Sequence, residues 1–453
     1  MASSVEPIPR RSLIVGNTRT VEMVGELAEL SALARQSGGC AAFRLLWFAR
    51  PGDIVVLPGH PRAEYLDYVT GITGVDPSDL LVMVPPPGAL GADLLTPDRT
   101  ADPGFRHQLA EAVRRRSVDQ VLAVFKDVAL AQLADSVGLA LPGQAFSAQG
   151  GDSILNSKAG FRAIAAGAGT PIVPGAVVRS PAEATTVAGE LLAAGHSVIV
   201  KQEFASGAQG NELLSQAPVG RMAGAVRSVV VNRAAQLAEY FIGNWDRLTA
   251  GNRHRLVIER YLTDCDTVYA EYWIGDLDCE LLGVAEILMD PFPVGEVVPG
   301  KAGEPATRQA LLAAGSTLCR AVHAMGYRGY LSMDSVRTPA GEVYATETNA
   351  RMSGSTHLHQ VISARLLAAG QRRVLLEMHD WRVPSFAAAA ERLAEAGLAF
   401  SRDRGVGVLL TTDLMPDSTL TYCVVAADLP AAQAVRDQLD EMFSTANSGT
   451  VDR

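Results

Sequence analysis

The sequence predicts an α/β domain, then a larger α+β region, then a small α/β module at the tail. Three observations carry this. Short apolar strands alternate with helical patterns up to about residue 140, which implies a parallel sheet with helical crossovers. From Leu256 the pattern turns strand-rich, with LVIERYL, TVYAEYWIG and LDCELLGVAEILM in close succession. The tail carries two strands, GVGVLLT and TLTYCVV, and a helix over 431–443.

At 453 residues, 48% hydrophobic and 19% charged, the chain has the size and composition for two or three soluble domains with a sizeable core. The net charge of −10, with no long basic tract, argues against a nucleic-acid partner. The opening MASSVEPIPRRS lacks the apolar core of a signal peptide, and no apolar run reaches membrane-spanning length. A cytoplasmic protein is therefore expected. Cys40, Cys265, Cys279, Cys319 and Cys423 are odd in number and contain no CxxC, which fits free thiols in a reducing compartment. Cys265 and Cys279 could face each other across a hairpin, and all five are read as structural.

In chain order, SLIVGN (12–17) reads as the first strand. TVEMVGELAELSALARQ follows as an amphipathic helix through Val21, Val24, Leu27, Ala28, Leu30 and Leu33. FRLLWFA (43–49), DIVVLPG (53–59), LLVMVPP (80–86) and DQVLAVF (119–125) are further strand candidates. The Gly16-Asn17 turn is a plausible ligand-facing edge, but it is no GxGxxG fingerprint and supports no dinucleotide site. The Gly/Pro/Ser-rich LPGQAFSAQGGDSILNSK sets a boundary near residue 148. Next come a helix from about Ser157 to Ala166, a strand after PIVPG, a helix from Pro181 to Ala194 and the strand SVIVK (197–201). A helix from about Ala306 to Met325 precedes a hairpin; HLHQVISARLLAAG and RRVLLEMHDW after it read as helix. There is no internal repeat and no low-complexity tract.

The hairpin is the most informative segment. YLSMDSV and VYATETN are strand-like, with turn residues Pro339-Ala340-Gly341-Glu342 between them. Closure between Ala340 and Gly341 puts Asp334 directly across from Glu347, and strand alternation adds Asn349 and Arg351 to the same face. Opposed carboxylates repel, so something positive must compensate. Oxygen-only ligands at this density suit Mg²⁺, which usually completes its shell with water and substrate phosphates. Arg351 offers a planar fork to a phosphoryl or acyl-phosphate oxygen.

Three weaker signals precede the hairpin. Lys201 ends a buried-looking strand and leads into a small-residue loop, 202–211, with Ser206, Gly207 and Gly210. Glycines allow close backbone approach, N–H groups bind oxygens and the ammonium neutralises charge, as a phosphate site requires. It is not a Walker A motif. Lys158 sits at a helix start, where a cation opposes the helix dipole and needs a reason. LVIERYL ends in Glu259-Arg260-Tyr261-Leu262, a segment able to offer its backbone to an adenine edge, with Asp264 and Asp266 just beyond for ribose hydroxyls.

Together and in this order, over about 150–385, these elements resemble the ATP-grasp superfamily. The resemblance implies a Rossmann-like pre-ATP-grasp domain (1–148), an ATP-grasp N-terminal lobe (149–262), a C-terminal lobe (263–385) and a closing α/β module (386–453). It implies ATP and Mg²⁺ as cofactors. Lys158, Lys201, Ser206, Gly207 and Gly210 would hold phosphates. Glu259, Tyr261 and Leu262 would form the adenine hinge, and Asp264, Asp266 or Glu271 the ribose acid, with Asp266 preferred. Asp334, Glu347 and Asn349 would hold metal; Arg351, Lys201 and Arg328 would be catalytic. His357 or His359 is a candidate general base, more naturally a packing residue, and Ser353, Ser355 and Thr356 could equally orient substrate.

More narrowly, GNTRTVEMVGELAEL and GYRGYLSMDS…ETNARMSGSTH are similar to the pheganomycin-type peptide ligases of peptide-antibiotic biosynthesis. That implies an ATP-dependent amide bond between an amino-acid or related carboxylate and the amino group of a peptide, in a homodimer with no nucleic-acid or membrane partner. The rivals are a biotin-dependent carboxylase, an acid–thiol ligase and a catalytically silent ATP-binding module. No biotinyl-lysine motif or CoA-binding segment supports the first two, and a silent module need not keep metal ligands.

Overall fold

The computed structural model describes residues 10–220, 222–414, 416 and 419–444; most of the opening segment 1–12 therefore lies outside the described residues. The chain forms two compact units, divided at 150/151 and 350/351. The first takes the chain up to residue 19, 28–150 and everything from 351; the second takes 20–27 and 151–350.

The first unit begins with four parallel strands, β1 (Ser12–Val15), β2 (Ile54–Val56), β3 (Leu81–Met83) and β4 (Gln120–Ala123), in the order β3-β2-β1-β4. Leu13, Val15, Ile54 and Val56 bury against Phe105, Leu109 and Val113 of the helix Pro103–Arg116 and against Leu130 and Leu133 of the helix Val128–Val137. Asp102 and Asp127 cap those helices by accepting from the N–H groups of Phe105 and Leu130. Apolar faces on both sides explain why these strands read as unbroken apolar runs.

Two expectations fail here. The single helix expected after β1 is broken: Val21–Val24 ends at Gly25, whose φ of 78° stops it, and a new helix, Ala32–Cys40, starts at the Ser31 cap. Residues 43–49 are no strand: 43–48 lie in the helical segment Ala41–Phe48, which Ala49 caps and which buries Leu45, Leu46 and Trp47. A short apolar run carries no periodicity that separates a strand from a buried helix.

The second unit holds two sheets. The first contains β5 (Gly175–Val178), β6 (Val198–Gln202), β7 (Asn211–Ser215), β8 (Arg227–Val230) and β9 (Leu256–Arg260), in the order β5-β9-β6-β7-β8. The helices Pro181–Ala193 and Ala234–Leu248 pack on it through Ala184, Ala188, Leu237 and Phe241, against Val198, Val200 and Ile258. The other five strands are antiparallel: β10 (Asp266–Ile274), β11 (Cys279–Asp290), β12 (Phe292–Val298), β13 (Gly329–Arg337) and β14 (Val343–Asn349), in the order β14-β13-β10-β11-β12. The helix Pro305–Ala324 precedes β13, where a helix was expected. Cys279 pairs with Ile274 while Cys265 precedes β10, so these two cysteines do not face each other. None of the five cysteines is in a disulfide.

The first unit closes with β15 (Val374–Arg382), β16 (Gly407–Leu414) and β17 (Thr419–Ala426), in the order β15-β17-β16, then the helix Leu429–Ser444. RRVLLEMHDW was expected as helix; its core is β15, paired Leu376↔Val424 and Glu377↔Cys423. Antiparallel pairing with β17 decides it over local propensity. Thr411 on β16 presents its carbonyl to Trp47 Nε1 (3.0 Å) and the Tyr65 hydroxyl (2.8 Å), both buried. Among the described residues no helix is long and apolar enough to cross a membrane.

Candidate active site

The β13–β14 hairpin puts Asp334 across from Glu347 and Ser332 across from Asn349, as expected. It does so by a route the sequence did not show. Near the turn, Arg337 pairs with Val343 and Ser335 with Ala345; a bulge then makes Thr346 the extra residue, and only after it does Glu347 face Asp334. The turn closes with Gly341 N donating to the Thr338 carbonyl, Gly341 holding φ 86°. Behind β14, the Thr348 hydroxyl donates to Leu155 O (2.7 Å) and Asn156 Oδ1 accepts from Ala350 N (3.1 Å). The helix Gly151–Asn156 thus braces the strand that carries Glu347 and Asn349.

Asp334 is oriented at both oxygens. Ser332 Oγ donates to Oδ1 (2.9 Å) and Asn349 Nδ2 to Oδ2 (3.0 Å). Asn349 therefore points its amide oxygen away from Asp334. Two carboxylates and one amide oxygen form a hard donor set suited to Mg²⁺. The expected positive partner is Lys158, whose Nζ lies 3.1 Å from Glu347 Oε2. Among the described residues no group of three or more His, Cys, Asp or Glu converges, so any metal here rests on the acid pair and Asn349.

Lys158 is the first residue of the helix Lys158–Ala168, capped by Ser157, and is buried. Besides Glu347 it donates to the Ala205 carbonyl (2.6 Å). Ser157 Oγ donates to Glu203 Oε1 (2.5 Å), whose other oxygen accepts from Arg255 N (2.7 Å). The helix start is thereby fixed to the base of the β6–β7 loop. That loop turns through Gly207 (φ 60°) and Ala208 (φ 64°), with Gln209 N donating to Ser206 O. Gly210 permits a close approach: a Cβ there would stand 2.5 Å from Ala205 Cβ.

Lys201 lies on β6 and its Nζ meets Glu259 Oε2 on β9 at 2.6 Å, both side chains buried. Glu259 Oε1 is taken by Arg162, which also donates to the carbonyls of Val173 (3.0 Å) and Gly175 (2.9 Å). The Glu259 side chain thus serves the lysine. Its hinge backbone is largely committed: Arg260 N donates to Pro174 O (2.9 Å) and Tyr261 N to Ser197 O (2.7 Å). The Tyr261 hydroxyl makes two bonds to the Ala223 backbone, each 3.0 Å. Leu262 follows directly at the hinge's end. Sequence reasoning missed Arg162 and Glu203. Arg162 follows Lys158 by four residues, one helical turn on the same face, which was the available signal.

Three further expected site residues have partners or positions of their own. Asp266 gives Oδ1 to Lys301 (2.5 Å) and Oδ2 to Arg337 (3.2 Å), which also binds Glu304 (2.7 Å); this is an ion-pair network at the start of β10. Of the other candidates, Asp264 has a left-handed backbone (φ 56°) and Glu271 is fully buried opposite Ser332. Arg328 pairs with Asp276 (3.2 Å) and donates to the carbonyls of His323 and Tyr327. It precedes β13, roughly 20 Å along the strand from Asp334. Arg351 lies beyond the end of β14, so strand alternation does not carry it onto the acid face.

The histidines are packing residues. His357 Nε2 and Glu377 Oε2 meet at 2.7 Å in full burial, and Thr411 Oγ1 donates to the same oxygen (2.9 Å). Burial pushes the His357 pKa down against the pull of Glu377. Burial, then the neighbouring His357, lowers His359 to about 4. Buried imidazoles held neutral are poorly placed to take a proton from an amine.

With this geometry in view, comparison with known proteins places the fold. Residues 42–139 match the family model of the pre ATP-grasp domain, and 388–439 match the PGM1 C-terminal domain. No curated protein matches the chain. Among solved structures, the ADP complex of PurK, an N5-carboxyaminoimidazole ribonucleotide synthetase, superposes over 97% of this chain and 98% of its own, at 14% identity and a TM-score of 0.57. The fold is ATP-grasp.

The biotin carboxylase domain of Hydrogenobacter thermophilus 2-oxoglutarate carboxylase, solved with MgADP and bicarbonate, covers 96% of this chain and 90% of its own at 13% identity, with a TM-score of 0.57. N5-carboxyaminoimidazole synthetase from Staphylococcus aureus covers 96% and 97% at 14% identity, with a TM-score of 0.53. The ATP-grasp fold here thus runs from a pre-ATP-grasp sheet, β1–β4, to a small closing module.

Proposed function

We propose that this protein is an ATP-dependent, ADP-forming carboxylate–amine ligase, joining an amino-acid or related carboxylate to the amino group of a peptide. One observation carries the reading. The opposed acids Asp334 and Glu347, with Asn349, share one strand face, and Lys158 links that face to the glycine loop. In this reading Asp334, Glu347 and Asn349 hold Mg²⁺, which when bound neutralises charge on the phosphates. Lys158, Lys201, Ser206, Gly207 and Gly210 hold the phosphates, and Leu262 completes the adenine edge.

A carboxylate is a poor electrophile until its oxygen carries a good leaving group. The substrate carboxylate oxygen attacks the γ-phosphorus, the bond to the β–γ bridging oxygen breaks, and ADP leaves. The amine nitrogen then attacks the acyl carbon, phosphate departs, and the nitrogen loses a proton. The protein's part is positioning and charge neutralisation. Lys158 and Lys201 spread the phosphate charge, and Arg351, two residues past Asn349, is the group proposed to steady the acyl phosphate.

The test is ADP release from the full chain with MgATP against a matrix of carboxylates and amino-terminal peptides, with mass spectrometry of the products. Release that needs both a carboxylate and an amine supports the ligase. Release with bicarbonate alone would favour a carboxylase, the chemistry named for one structural neighbour. MgATP binding with no release under any combination would make the protein a silent nucleotide module.

A further inference from the structure

The helix Pro305–Ala324 covers the face of β10 that points away from the acids. Asp334 pairs with Tyr269 and shares its face, so Tyr272, of opposite parity, points to the helix. Two contacts fix the helix along the strand. Near its middle, Gly315 sits on Tyr272, where a Cβ would stand 2.1 Å from the hydroxyl oxygen. Near its end, His323 Nε2 meets the Asp276 carbonyl, just beyond β10, at 3.0 Å. Helix and strand therefore run parallel. Four helical residues advance about 6 Å, and two strand residues advance about 6.6 Å.

Cys319 is midway between Gly315 and His323, as Ile274 is between Tyr272 and Asp276. Cys319 therefore sits over Ile274, and both are buried, 1% and 0% exposed. Ile274 pairs directly with Cys279 on β11, and directly paired residues project to the same face. The Cys279 thiol thus emerges beside Ile274 under the same turn of the helix, which packs on β11 as well as β10. Burial pushes the Cys319 thiol up, and the Cys279 thiol beside it pushes it further. Cys279, which Cys265 does not face, has its neighbour here.

The two thiols differ in access. Cys279 is half-buried at the start of β11, whereas Cys319 is sealed under the helix. Burial and then Asp278 raise the Cys279 thiol, while Cys319, Arg328 and Arg320 pull it back. One accessible thiol backed by a buried one is the arrangement of an attacking and a resolving cysteine. Side chains facing each other across a helix–sheet contact can meet the Cβ separation of about 4 Å that a disulfide requires.

We infer that Cys279 and Cys319 form a dithiol that a peroxide closes to a reversible disulfide, a modification site on the back of the acid-bearing sheet. The Cys279 thiolate attacks a peroxide oxygen, the O–O bond breaks, and the departing hydroxide takes up a proton to leave as water. Cys279 is then a sulfenic acid. The Cys319 sulfur attacks the Cys279 sulfur, its thiol proton joins the leaving hydroxide, and the S–S bond forms with a second water. The two thiols lose two electrons, and hydrogen peroxide is reduced to two waters. The link ties the helix to β11. No proposed nucleotide or metal residue takes part, so the inference stands apart from the ligase reading.

The test is treatment of the full chain with hydrogen peroxide, alkylation of the remaining thiols and non-reducing peptide mass spectrometry. A linked Cys279–Cys319 peptide should appear, lighter by two hydrogens than its two halves, and dithiothreitol should restore both thiols. Thermal unfolding of the linked form should shift upward, since the bond closes a loop without moving the elements it joins. Cys319→Ser removes the resolving thiol, so a dimedone adduct should accumulate on Cys279 instead. Absence of the linked peptide, or Cys279 joined to any other cysteine, would overturn the pair. So would a melting temperature no higher in the linked form, which would mean that the helix had to leave its seat. If Cys319→Ser fails to fold, the wild-type peptide map and melting curve decide the matter alone.

Discussion

Lys158 Nζ lies 3.1 Å from Glu347 Oε2 and 2.6 Å from the Ala205 carbonyl, so one ammonium joins the acid face of β14 to the glycine loop. A cation at a helix start opposes the helix dipole, and these two oxygens explain why it is tolerated. The proposed metal and phosphate sites are therefore neighbours, and each can be probed separately.

Glu347→Gln removes one charge from the acid pair while keeping its shape. Turnover should fall by at least about 100-fold, the scale for disturbing a metal shell. ADP release and circular dichroism check this together: wild-type rates in a folded variant would remove Glu347 from the metal site.

Lys201→Ala leaves Glu259 paired with Arg162 alone. The KM for ATP should rise sharply, and thermal unfolding should show a loss of about 1–3 kcal/mol from the buried Glu259 oxygen left without its donor. An unchanged KM would take Lys201 out of the phosphate site whatever the stability change.

Gly210→Ala drives a methyl to 2.5 Å from Ala205 Cβ and so shifts the loop that presents its carbonyl to Lys158. Steady-state kinetics should show a raised KM for ATP, and circular dichroism checks that the variant folds, since Gly210 is buried where the loop enters β7. A KM equal to wild type would mean the loop's fit to Lys158 is immaterial.

His359, lowered to about 4 by burial and by His357, predicts a pH effect. Between about 4 and the ordinary value near 6.5, the unfolded chain binds a proton that the folded chain refuses. Stability should therefore decline as pH drops through that window, by about 1.4 kcal/mol per pH unit for this one group. Denaturant titrations across the window should show the slope, and His359→Gln should flatten it. His357, shifted in the same direction, adds to the wild-type slope.

Much of the fold was legible because alternation and turn residues are local signals. Asp334 and Glu347 were matched across the hairpin on those signals alone. The Thr346 bulge was not legible, because it shifts register by one residue without changing composition. Residues 43–49 and 374–381 were misread for a related reason: short apolar runs take their form from what packs on them. Lys158 and Lys201 were singled out by their order along the chain. Arg162, Glu203 and the cations around Asp266 matter through contacts distant in sequence, which no single segment displays.

The buried donors of Trp47 and Tyr65 both end on the carbonyl of Thr411, 364 residues beyond Trp47. A chain made from its amino end produces both aromatic rings long before their acceptor exists. Until β16 emerges, those rings must stay hydrated or leave polar hydrogens orphaned. The first unit can therefore finish its core only after the second unit has been synthesised. Residues 151–350 are continuous and have no such wait. The Trp47 and Tyr65 corner of the first unit is therefore the part that waits longest for its partner.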